Sequence, residues 1–167
     1  DGSGCGNGAT RGVLRLISGD GSLVHWSRSE FVFDDGTWWI SPYNYSALGD
    51  VDADGEPEII AILYQGAGDL FGRVVSLNRQ GEVEWVGEEL FESVFSGVNA
   101  QAASALVGIW DIDQDGTPEV LAGSRIYSGA DGSLHPIQLE GSKHSPIVAD
   151  LEGDGQLELI TFDGIHE

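Results

Sequence analysis

Three nine-residue phrases gather acidic side chains at a fixed spacing: DVDADGEPE at 50–58, DIDQDGTPE at 111–119 and DLEGDGQLE at 150–158. Each places carboxylates at positions 1, 3, 5 and 9 and glycine at position 6. In a loop of this spacing alternate side chains turn inward, the glycine permits a sharp turn, and residue 7 can offer its backbone carbonyl. The chemistry is that of a hard cation in an oxygen cage. The candidate ligands are Asp50, Asp52, Asp54 and Glu58; then Asp111, Asp113, Asp115 and Glu119; then Asp150, Glu152, Asp154 and Glu158. An all-oxygen set without His or Cys points to Ca²⁺. An EF-hand would need Glu at position 12 and flanking helices, but that position is Ala61, Ala122 or Thr161 and the sequence beyond it is strand-like. The competing reading is an ion-free acidic turn. Four acids within nine residues repel one another, and three such clusters are harder to tolerate than one. The third loop is the weakest of the three, because Glu152 stands where the others have Asp52 and Asp113 and its extra methylene changes the reach.

The segments around the loops say what must position them. Each loop runs into a short apolar stretch: EIIAILY, EVLAG and ELITF. Each follows a strand-like run: NYSALGD, SALVGIWD and SPIVAD. A second series of turns interleaves, with GDG at 19–21, QG at 80–81 and ADG at 130–132, each between two alternating apolar runs that read as a hairpin. One unit is therefore a four-stranded meander, A–metal loop–B–C–turn–D. The chain holds strands C and D of one unit, two whole units, and strands A and B of another, about twelve strands in all. Repeated antiparallel meanders of this length predict an all-β fold, a β-propeller segment of four-stranded antiparallel blades with Ca²⁺ loops in the A–B hairpins. The expected boundaries are a half blade at 11–42, blades at 43–96 and 97–141, and a half blade at 142–167. Strand B is apolar at consecutive positions from Ile59 to Leu63, as expected of a strand covered on both faces. Trp26 and Trp85, late in the D strands, are expected to pack between blades. Only EELFESVF at 88–95 suggests a helical turn or two.

Composition narrows the function classes. The chain has 167 residues and a formal net charge of −21, from 28 acids against 7 bases. Such a balance argues against nucleic acid or an anionic membrane as partner. Aliphatic and aromatic residues are plentiful, so disorder is not implied. No stretch approaches the roughly 20 apolar residues of a membrane span. Cys5 is the only cysteine, so no disulfide can close within the chain. The chain starts at Asp1 and contains no methionine, which suggests an internal piece of a longer protein. Loops of this kind often bind Ca²⁺ at ~10⁻⁴–10⁻³ M, which suits a secreted or surface-exposed parent.

The metal phrase resembles that of the FG-GAP or VCBS repeats, the propeller repeats of integrin α-subunit heads and of large bacterial surface proteins. The resemblance rests on a D-h-[DN]-x-[DN]-G-x-x-[DE] loop, which maps onto Asp50, Asp52, Asp54 and Glu58, onto Asp111, Asp113, Asp115 and Glu119, and onto Asp150, Glu152, Asp154 and Glu158 with a departure at Glu152. It implies Ca²⁺ in two loops and in a third, with the backbone carbonyls of Glu56, Thr117 and Gln156 as further ligands. The family's Phe-Gly and Gly-Ala-Pro elements are not cleanly present; Phe71-Gly72 is at best a remnant. The similarity covers residues 11–165. It implies fold and ion more than activity, since one fold carries many functions.

Other signals carry less. GCGNGA at 4–9 matches a dinucleotide pattern but has no strand before it and an extended segment after it. VFDDGTWW at 32–39 resembles the Asp box of sialidases, with Val32 in place of the usual Ser, and that box is itself a structural turn. Phe31, Phe33, Trp38, Trp39, Tyr43 and Tyr45 crowd one connection, where they can pack between blades or stack on sugar rings. His25, His135, His144 and His166 fall at unrelated points and read as structural. The function expected is a non-catalytic scaffold for protein or glycan recognition and adhesion, extracellular or at the cell surface, joined to the remainder of its propeller or parent chain. The alternative is the propeller part of a glycan-active enzyme, since some polysaccharide lyases resemble this architecture. The basic cluster a lyase needs is missing, because Lys143 is the only lysine and the six arginines are dispersed.

Overall fold

A computed structural model of the chain describes residues 11–41, 45–65, 71–92, 106–139 and 146–161. The glycine-rich segment 4–9, Cys5, Tyr43, Lys143, His144 and His166 lie outside the described residues. Within them all regular structure is β and every strand pairing is antiparallel. None of the described residues forms a helix long and apolar enough to cross a membrane.

The expected hairpins form where the turn residues demand them. Strands β1 (Leu14–Ile17) and β2 (Val24–Arg28) flank the first turn, where Gly21 takes φ +73° and its N–H bonds to the Ser18 carbonyl. The next sheet contains a meander: β5 (Ala47–Gly49), the first acidic loop, β6 (Glu58–Tyr64), β7 (Phe71–Leu77), the Gln80–Gly81 turn and β8 (Val83–Val86). A third sheet repeats the order with β10 (Val107–Trp110), the second acidic loop, β11 (Glu119–Ala122) and β12 (Arg125–Ser128). A fourth holds β13 (Ile147–Ala149), the third loop and β14 (Glu158–Ile160).

Three features depart from the sequence reading. Residues 30–40 form a hairpin, β3 (Glu30–Phe33) and β4 (Gly36–Ile40), whose second strand joins the end of β6 through Trp39↔Tyr64 and Ile40↔Leu63. The Asp35-Gly36 turn between aromatic runs was the signal for it. The fourth strand of the third sheet shrinks to a single bridge, Tyr127↔Leu134. Pro136 has no N–H to extend that ladder. In 88–92 no helical turn forms: β9 (Phe91–Glu92) pairs with β7, and 93–95 lies outside the described residues.

The sheets stack face to face with an apolar layer between each pair. Side chains alternate along a strand, so β6 serves two layers. Ile59, Ala61 and Leu63 share one face of their sheet with Val75 and Leu77 and pack with Phe31 and Trp38, and with Leu14 and Trp26 of the first hairpin. On the other face Ile60 and Ile62 lie with Val74 and Trp85 and pack with Val120 and Tyr127 of the third sheet. β11 repeats this: Val120 and Ala122 join that second layer, while Leu121 joins Ile126 and Val148 in a third.

The two tryptophans fasten adjacent sheets as expected. Trp26 donates its Nε1–H to the Arg79 carbonyl and lies over Gly81; Trp85 donates to the Gly129 carbonyl and lies over Gly132. The same contact thus recurs between consecutive sheets. A Cβ at Gly129 would collide with the carbonyls of Val51 and Pro118, which belong to the first and second acidic loops. That glycine lets the two loops approach the same turn.

Candidate metal loops

All three loops join two consecutive strands of one sheet, β5 to β6, β10 to β11 and β13 to β14, and share one backbone course. Position 4 is left-handed in each, at Ala53 (φ 60°), Gln114 (φ 61°) and Gly153 (φ 72°). Position 6 is left-handed too, at Gly55, Gly116 and Gly155, with φ of 94°, 96° and 89°. Two left-handed residues in three are what curl the chain around its own N–H groups, and glycine at 6 adopts that conformation without a Cβ penalty.

Internal hydrogen bonds hold the curl. The position-1 carboxylates accept from the position-6 N–H: Gly55 to Asp50 at 3.0 Å, Gly116 to Asp111 at 3.1 Å, Gly155 to Asp150 at 2.9 Å. The position-5 carboxylates accept from the position-7 N–H: Glu56 to Asp54 and Thr117 to Asp115 at 2.7 Å, Gln156 to Asp154 at 2.9 Å. The position-9 glutamates reach back to the second residue, with Val51 N–H to Glu58 at 2.8 Å, and Ile112 to Glu119 and Leu151 to Glu158 at 2.7 Å.

The first two loops leave acidic oxygens without protein partners. Asp50, Asp52 and Glu58 bring one oxygen each within 4.8 Å of one another; so do Asp111, Asp113 and Asp115. Asp50 Oδ1 and Asp111 Oδ1 are buried and accept no hydrogen bond. Glu58 and Glu119 are only 3% and 4% exposed. Burial pushes both carboxyls above the usual carboxylate range, and neighbouring aspartates push the same way, against the lowering effect of the single N–H each accepts. A buried, unpaired carboxylate is costly, and a divalent cation would remove that cost. The donor set and the buried unpartnered oxygens fit a metal ion in both loops.

The third loop is different. Positions 3 of the first two loops accept the position-5 N–H, from Asp54 to Asp52 at 3.0 Å and from Asp115 to Asp113 at 3.2 Å. In the third, Asp150 Oδ1 takes that N–H from Asp154 at 3.2 Å and another from Gly153 at 2.6 Å. Glu152 is left out of the network, Asp150 is exposed, and the loop has no three-carboxylate cluster among the described residues. Asp54 likewise falls outside the first cluster, and Glu119 groups with Asp113 and His135 instead of with Asp111. The sequence reading took His135 as structural, since it lies well beyond the loop in sequence; the fold brings it to Asp113 and Glu119.

The aromatic segment is largely occupied by packing. Phe31 and Trp38 are buried, and guanidinium groups lie over four faces: Arg11 on Trp39, Arg28 on Phe31, and Arg73 on Trp38 and Phe33. Arg73 also grips Asp35 through both carboxylate oxygens and holds that carboxyl below its usual range, aided by the Trp38 N–H. Of these aromatics Tyr45 is open to solvent, at 70% exposure.

No protein-family profile matches the chain, and no curated protein matches it. Among solved structures the fold is similar to the crystal structure of the V. cholerae biofilm matrix protein Bap1, with a TM-score of 0.55 and 24% identity over 90% of this chain. The chain corresponds to about a fifth of that protein's length, 22%. The likeness is one of fold, and it places this antiparallel all-β stack beside a segment of a larger protein.

Proposed function

We propose that the chain is an arc of a calcium-stabilised β-propeller of the FG-GAP/VCBS type, with blades bounded near 43–96 and 97–141. In this reading it is a non-catalytic scaffold for protein or glycan recognition in a secreted or surface-exposed parent. The observation that carries it is the pair of equivalent loops in consecutive sheets, each converging three carboxylates beside a buried aspartate oxygen that accepts no hydrogen bond. Ca²⁺ would be held by Asp50, Asp52, Asp54 and Glu58, and by Asp111, Asp113, Asp115 and Glu119, with the carbonyls of Glu56 and Thr117. Asp150, Glu152, Asp154, Glu158 and the Gln156 carbonyl would form a weaker third site. When bound, the ion supplies positive charge that offsets crowded carboxylates and pins the β5–β6 and β10–β11 hairpins. The stacked sheets and the fold shared with a matrix protein support a structural role outside the cell.

The test is thermal unfolding in excess chelator and in ~1 mM Ca²⁺. With a dissociation constant of ~0.1 mM, mass action gives about 1.4 kcal/mol per site. Two sites then shift the midpoint by several degrees, and identical melts would refute calcium as a structural ion. A titration with defined glycans, followed for turnover, tests the non-catalytic reading separately.

A further inference from the structure

The first two loops differ in one neighbour that is not part of either loop. Strand register makes Glu84 and His135 equivalent. Ser128 pairs with Glu119, and Asn78 lies at the matching place, one residue beyond the Leu77 that faces Ile59. Val83 pairs with Leu77, and Leu134 bridges to Tyr127; the next residues are Glu84 and His135. Both lie close enough to the position-9 glutamate of their own sheet to act on it, Glu84 on Glu58 and His135 on Glu119.

The two side chains do opposite things. Glu84 adds a carboxylate beside the first loop, held by the Ser76 hydroxyl at 3.2 Å. His135 accepts the Ile137 N–H on Nδ1 at 3.2 Å, so the proton of the neutral ring sits on Nε2. That Nε2–H faces Asp113 Oδ2 across 3.6 Å with the ring 11% exposed. In this tautomer the ring presents a donor and not a lone pair. It engages Asp113 in competition with an ion, and it places no anion where the first sheet has one.

We propose that this fourth-strand residue sets the relative affinity of the two metal loops, Glu84 strengthening the first for a divalent cation and His135 weakening the second through Asp113. The inference rests on the calcium reading above. One unit charge several ångströms from a divalent ion, in a water-like dielectric, changes binding on the order of tenfold.

The experiment is calorimetric titration of the full chain with CaCl₂ at fixed ionic strength. Asp111→Asn isolates the first loop and Asp50→Asn the second; the third loop adds the same background to both. Glu84→Gln should weaken the first loop roughly tenfold, and His135→Glu should tighten the second by a similar factor. His135→Ala removes the N–H donor to Asp113 and should tighten the second loop severalfold. If His135→Glu does not fold by circular dichroism, Glu84→Gln together with His135→Ala decides. Substitutions that leave both dissociation constants within twofold overturn the proposal while the calcium reading stands. A wild-type chain that takes up no Ca²⁺ overturns both.

Discussion

Glu58 and Glu119 are acids in places that suit an acid poorly unless something positive is near. Their folded-state pKa values lie above the ordinary carboxylate value of 4.5, chiefly through burial. For a raised pKa the sign is fixed: the folded form binds protons more readily than the unfolded chain, so the contribution is full below 4.5 and is lost as pH rises through the folded value. Metal-stripped protein should therefore lose stability as pH rises above 4.5, and Ca²⁺ should cancel that loss. Below pH 3.8 the trend is governed by other groups: Asp20, held at about 2 by the Ser18 and Ser22 hydroxyls and the Ser22 N–H, and Asp35 and Asp131, also depressed. The measurement is the urea midpoint of stripped protein from pH 4.5 to 7.5. Glu58→Gln with Glu119→Gln keeps an acceptor for Val51 and Ile112 and should flatten the profile. A stripped wild type that gains stability over this range, or a double variant with an unchanged slope, contradicts the account.

The elements are held in register by contacts that a repeat pattern only half announces. Both tryptophans were legible as packing residues because an indole late in a strand, just past a turn, has few other places to go. The turns that receive them were not. Gly129 is the sharpest case: it is needed for close approach, and what approaches it are carbonyls from two acidic loops. Gly129→Ala should cost about 1–3 kcal/mol by overpacking. It should also lower Ca²⁺ affinity at both loops, since Val51 and Pro118 must move. Trp85→Phe removes the donor to the Gly129 carbonyl and part of the buried indole, and should cost about 1–3 kcal/mol with Ca²⁺ affinity nearly unchanged. Chemical denaturation paired with calcium titration separates the two; equal effects on both readouts would refute the loop-coupling role of Gly129. The β3–β4 hairpin was missed although its Asp-Gly turn marks it, and its docking on the end of β6 leaves no local trace, because the two backbone pairings join segments so far apart in sequence.

At the scale of the molecule, the two outer sheets each have two strands among the described residues and carry apolar side chains in water, among them Ile17, Val24 and Ile147. Such surfaces favour association, and a net charge of −21 opposes it. Screening above ~0.15 M salt should tip the balance, so sedimentation should report a growing associated fraction with ionic strength. A compact monomer at high concentration and high salt would mean that these faces are already satisfied. Spacing within the chain was enough to find the acidic loops and their turn glycines and to mark Glu152 as the residue that departs from the pattern. All of these depend on spacing within nine or so residues, where backbone geometry is local. The tertiary structure alone decided that one β6 strand feeds two apolar layers, that Gly129 lies between two loops, and that Glu84 and His135 stand beside their acids. Those are facts of stacking and register between distant segments, set by which surfaces bury one another and not by any short-range pattern.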